Sequence, residues 1–69
     1  MGKHENDTRK AVIDLEAYIA NKDRAPVSVF VRSLYLRYGF SKRKLITILN
    51  DAYPDYEINE ETDKLEQVR

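Results

Sequence analysis

Residues 34–50 read LYLRYGFSKRKLITILN, with Gly39, the one glycine besides Gly2, near the middle. Leu34 and Tyr38 stand four apart, so they share a helix face in front of the glycine. Gly39 can take positive φ and stop that helix at little steric cost. Ser41 then offers a cap for a following helix whose apolar positions, Leu45, Ile48, Leu49 and Ala52, form one stripe that Pro54 ends. Only Gly39, Phe40 and the cap separate the two helices. The connection is therefore a tight turn, and the helices it joins must pack on each other.

Upstream, Ala11, Val12, Leu15, Tyr18 and Ile19 recur at helical steps. They predict a first helix that begins near the capping residues Asp7 or Thr8 and runs out at Asn21, Lys22, Asp23 and Arg24. Pro26 pushes Ala25 toward an extended conformation, so Ala25-Pro26-Val27 reads as a connector or a very short strand. Ser28 is the expected cap of the second helix, which gathers Phe30, Val31, Leu34, Tyr35 and Tyr38 on one face and sets Leu36 apart. In a core this thin, Tyr35, Tyr38 and Tyr53 read as packing residues rather than as platforms for stacked bases.

Downstream, two readings compete. As a hairpin, Tyr56-Glu57-Ile58 pairs with Leu65-Glu66-Gln67 across a polar turn. As a helix, Asn59 caps, Glu60 and Glu61 sit at the favourable end, and Lys64 and Arg69 sit at the other. The hairpin is preferred, with a four-helix all-α domain as the alternative.

The 69 residues suit one domain with a thin core. There is no cysteine, so disulfides and thiolate metal sites are excluded. The single histidine, His4, lies in a polar leader, residues 1–7, expected to be disordered, where a metal role carries little weight. No metal or other cofactor is expected. No apolar run reaches the length of a membrane span, and the polar start carries no signal peptide. The expectation is a cytoplasmic protein that does not engage a membrane. There is no Cys nucleophile, no Gly-rich phosphate loop and no His near any Ser, so the chain is expected not to be an enzyme.

The net charge of zero hides a strong segregation. Residues 24–50 hold six cations (Arg24, Arg32, Arg37, Lys42, Arg43 and Lys44) and no acid, while residues 51–69 hold seven acids and two cations. Such separation speaks of partners rather than of fold. Lys42, Arg43 and Lys44 fall in the first turn of a helix, where the dipole disfavours each cation by roughly 0.3–1 kcal/mol. With the first N–H groups and the Ser41 hydroxyl, they make a place for phosphate. In the contrary reading the cations only solubilise the surface, and the acidic tail folds back over them.

Leu34, Tyr38, Gly39, Phe40, Leu45 and Ile48 resemble the apolar-and-glycine pattern of the helix-turn-helix family over 17 of the 69 residues. One position departs from it. A small residue normally follows Leu34, and Tyr35 stands there, so either the helices cross more widely or the ring swings out. The resemblance implies that the helix from residue 41 to 52 enters the major groove of double-stranded DNA. Ser41, Lys42, Arg43, Thr47 and Asn50 would then face the nucleic acid. Arg43 would read guanine, Asn50 adenine, and Lys42 and Lys44 would hold phosphates, with Arg32 and Arg37 flanking the groove.

Three helices and a hairpin match the winged-helix version of the family, with 25–27 as its small first strand and 8–69 as a single winged-helix-like domain. The expected wing carries Asp55, Glu57, Glu60, Glu61, Asp63 and Glu66 and would repel phosphate. The first expectation is a small DNA-binding transcription regulator, with a homodimer as one way to gain affinity. The alternative is an adaptor or inhibitor that meets another protein through acidic or apolar surfaces.

Overall fold

The computed structural model describes the backbone of residues 3–68 and the side chains of residues 6–68, so the side chain of His4 lies outside the described residues. Helix α1 (Lys3–Ala20) starts well before Asp7. The segment expected as a disordered leader is thus helical from Lys3. Polarity alone does not stop a helix: residues 3–7 contain neither Gly nor Pro, and each added residue brings one more hydrogen bond. Helix α2 (Val27–Tyr38) and helix α3 (Lys42–Ala52) follow, then strands β1 (Tyr56–Asn59) and β2 (Lys64–Gln67).

The core is built from one stripe of each helix and one residue of the hairpin. Ala11 and Leu15 come from α1, Val27 and Leu34 from α2, Phe40 from the turn, Leu45, Ile48 and Leu49 from α3, and Leu65 from β2. Tyr18 of α1 stacks on Phe30 of α2, their centroids 4.3 Å apart. Two expected apolar-face positions fall outside the core, and one residue not expected there joins it. Tyr35 and Ala52 are exposed, whereas Val27, read as connector, is buried. At the departing position the Tyr35 ring swings out to solvent while Leu34 is buried.

The hairpin reading of the C-terminal segment holds, and the four-helix alternative does not. β1 and β2 pair antiparallel with Tyr56 opposite Gln67, Ile58 opposite Leu65 and Asn59 opposite Lys64. Asn59 caps a turn rather than a helix, its Oδ1 accepting from the N–H groups of Glu61 and Thr62. Asp63 closes that turn with φ 57°, a conformation that Asp tolerates better than most residues.

Two local expectations are corrected at the start of α2. Residues 25–27 form no strand; the sheet has two strands among the described residues, and Val27 opens the helix. What ties the segment to the hairpin is a backbone hydrogen bond from Val27 N–H to the Asp63 carbonyl at 2.8 Å. Nor does Ser28 cap the helix, because Pro26 holds the cap position and no side chain at that position bonds the helix. The cap comes from far along the chain. The Asp63 carboxylate accepts from Ser28 N–H at 3.1 Å and from its hydroxyl at 2.5 Å. A carboxylate at a helix start is favoured by both the free N–H groups and the dipole.

None of the helices among the described residues is long and apolar enough to cross a membrane.

Candidate nucleic-acid interface

Three features fix the position of α3. Gly39 has φ 75° and ψ 17°, and its N–H bonds the Tyr35 carbonyl at 2.8 Å, which ends α2 as expected. Phe40 is buried in the corner, with the Tyr38 ring tilted against it at 5.5 Å. Ser41 is extended, and its hydroxyl accepts from Lys44 N–H at 3.4 Å, a long cap bond. Leu45, Ile48 and Leu49 then pin the inner side of the helix.

The outer side of α3 consequently carries Arg43, Ile46, Thr47 and Asn50, all exposed. Arg43, Thr47 and Asn50 stand at steps of four and three, so they form one row along the helix. The proton of the Thr47 hydroxyl is used within the helix, on the Arg43 carbonyl at 3.1 Å, which leaves that oxygen free as an acceptor. Arg43, Thr47 and Asn50 therefore share one exposed row, whereas Ser41 caps the helix and Lys42 turns toward Glu60 of the hairpin.

The remaining cations are less available than the charge count implies. Arg24 is structural: its guanidinium donates to the carbonyls of Ile19 at 3.0 Å and Leu65 at 3.1 Å, clamping the end of α1 to β2. Arg37 pairs with Asp14 of α1 at 3.2 Å and turns toward that helix. Lys44 lies over the Phe40 ring, its ammonium 5.4 Å from the centroid. Lys42 meets Glu60 of the hairpin turn at 2.5 Å. Among the described residues, Arg32 and Arg43 have neither an ion pair nor a hydrogen bond from their side chains.

The acidic tail thus folds back over part of the basic turn. Only Glu60 does so, and the pair is open to water, with side chains 42% and 67% exposed. Exposed pairs of this kind contribute roughly 0–1 kcal/mol, little enough for a phosphate to displace the carboxylate. Farther along, Glu57 and Glu60 border a groove shared with Ile46 and Asn50, so the hairpin side of α3 is negative. An anion approaching α3 meets favourable charge at Arg43 and repulsion on the hairpin side, while Arg32 lies across the groove from Lys42.

Several consequential residues were not legible as such in the sequence. Asp63 and Arg24 act across 35 and 41 residues of separation. Asp14 gathers two partners from α2, accepting from the Tyr38 hydroxyl at 2.7 Å as well as from Arg37. That carboxylate hydrogen bond, with a smaller contribution from desolvation, raises the Tyr38 pKa above 10.0. The Tyr18 hydroxyl donates to the Ala25 carbonyl and braces the same connector. No protein-family model, no curated protein and no solved structure matches this chain.

Proposed function

We propose that the chain is a small, non-enzymatic regulator that binds double-stranded DNA by setting the outer side of α3 in the major groove. The observation that carries this reading is the exposed row of Arg43, Thr47 and Asn50 on a helix fixed from behind by three buried residues. Arg43 suits the acceptor edge of guanine, Asn50 the paired donor and acceptor of adenine, and Thr47 a neighbouring donor or methyl group. Arg32, Lys42 and Lys44 supply backbone contacts, Lys42 by exchanging Glu60 for a phosphate. Arg37 contributes least, because Asp14 already holds it. Glu57 and Glu60 of the hairpin border the Asn50 side of this row, so in this reading the duplex lies over Arg43 and Thr47 and skirts the hairpin. A reading head of this size binds weakly alone, so pairing of two copies on adjacent half-sites would supply the missing affinity.

A salt titration against duplex DNA tests the proposal. Four cations at phosphates or bases predict a slope of log affinity on log salt of about −3 to −4. Changing Lys42, Arg43 and Lys44 together to Ala should abolish binding while the fold persists. A slope near zero, or binding that survives the triple change, would dismiss the DNA reading.

A further inference from the structure

The outward side of α2 is apolar where a solvated helix carries charge. Val29, Tyr35 and Leu36 are 54%, 62% and 72% exposed. Tyr35 and Leu36, with Val31 and Phe40, line an open groove of about 580 Å³ between α2 and the start of α3. Val29 lies two turns before Leu36 on the same side of the helix, with exposed Arg32 between them, and stands outside the groove. An open groove with Tyr35 and Leu36 exposed in its wall marks an interaction site more often than a solvated face.

The charges around the groove restrict what can fill it. Arg32 and Lys42 stand on its rims, and residues 24–50 contain no acid. A second copy laid across α2 by a two-fold axis would set Arg32 against Arg32, with no carboxylate on either helix to relieve the repulsion. Lys42 already accepts a carboxylate, from Glu60, in the free chain. The groove is open along its length, which suits a row of side chains rather than an enclosed small molecule.

We infer that this groove receives an acidic amphipathic helix from a partner protein. Two apolar side chains one turn apart would enter between Tyr35, Leu36 and Phe40, and flanking carboxylates would meet Arg32 and Lys42. The inference shares Arg32 and Lys42 with the DNA reading, so the two ligands would compete for those cations, whereas Tyr35 and Leu36 belong to the groove alone.

A synthetic helical peptide of about 15 residues serves as probe, long enough to populate a helix on docking. It carries Leu or Phe at i, i+4 and i+7 and Glu on both flanks; a control has Lys in place of every Glu. Titrated into ¹⁵N-labelled full chain, the acidic peptide should shift the amides of Arg32, Tyr35, Leu36 and Phe40. The Lys peptide should bind at least about tenfold more weakly, a difference that a pair of desolvated charges readily supplies. Leu36→Gln should weaken the acidic peptide by a similar factor while leaving the melting curve and duplex binding unchanged. Arg32→Gln should narrow the difference between the two peptides. Absence of shifts, or equal binding of both peptides, would overturn the inference. So would concentration-dependent dimerisation that moves the same amides, because a second copy would then be the occupant.

Discussion

Gly39 joins α2 to α3 at φ 75°, with open space around the position a Cβ would take. A substitution there costs only the backbone conformation. Gly39→Val should therefore destabilise the chain by about 1–3 kcal/mol, a fall of several degrees or more in melting temperature for a domain this small. Gly39→Asn should lose much less, and an unchanged melt for the valine variant would refute the left-handed assignment. This position was legible in the sequence because the constraint is local: a glycine between two helical patterns has few other uses. Tyr38 was legible only as apolar surface. Its hydroxyl depends on Asp14, 24 residues away, which no local pattern reveals. The consequence is a dependence on alkaline pH. Its folded pKa is raised above 10.0, so the stability it contributes is present below that value and lost as pH rises through the raised one. Melting temperatures measured between about pH 8 and 12 should fall more steeply for the native chain than for Tyr38→Phe. Parallel curves would remove the carboxylate from the account.

At the scale of elements, the start of α2 and the start of α3 are both served by the hairpin turn, in opposite ways. Asp63 places a carboxylate on the Ser28 N–H in the first turn of α2, where it is stabilising. Loss of a side-chain cap typically costs about 0.5–2 kcal/mol, so Asp63→Ala should fall in that range. Asp63→Asn should retain part of the stability, since Asn also tolerates positive φ and keeps an acceptor. A double-mutant cycle with Ser28→Ala should show coupling, and additive losses would mean that the hydroxyl contributes nothing beyond the Ser28 N–H bond to the carboxylate. At α3 the turn supplies Glu60 against Lys42. From the helix dipole alone, Lys42→Glu would stabilise by roughly 0.3–1 kcal/mol. Opposite Glu60 that gain is cancelled by like charge, so the melting temperature should stay level or drop in the native background and rise only with Glu60→Gln. Glu60→Gln alone should strengthen duplex binding a few-fold, because it frees the cation that a phosphate must otherwise win. A stabilising Lys42→Glu in the native background would show that Glu60 does not hold Lys42 in solution. The three helices could be read from sequence because each has its own stripe and stop. The cap of α2 could not, since its partner sits in a polar turn that looks solvated.

Across the whole molecule, the same distinction explains what the charge pattern conveyed and what it concealed. Six cations between residues 24 and 50 suggested one basic surface, yet Arg24 closes the end of α1 and Arg37 ties α2 to α1. Charge along the chain sums what the fold later divides between packing and surface. The hairpin shows the converse. The hairpin expected as a wing also contributes buried Leu65, the Asp63 cap and the Leu65 carbonyl that receives Arg24. Removing a buried leucine side chain costs about 2–5 kcal/mol, and losing the cap adds about 0.5–2 kcal/mol. A chain of 69 residues commands only roughly 3–10 kcal/mol in total. A version ending at Pro54 should therefore lose cooperative melting and amide dispersion altogether, although every helix and the whole turn are still encoded. Shortening the turn at Glu61 and Thr62, which bury nothing, should leave a cooperative fold. If the version ending at Pro54 melted cooperatively, the three helices would be a complete core, and the hairpin's buried leucine would have to be dispensable.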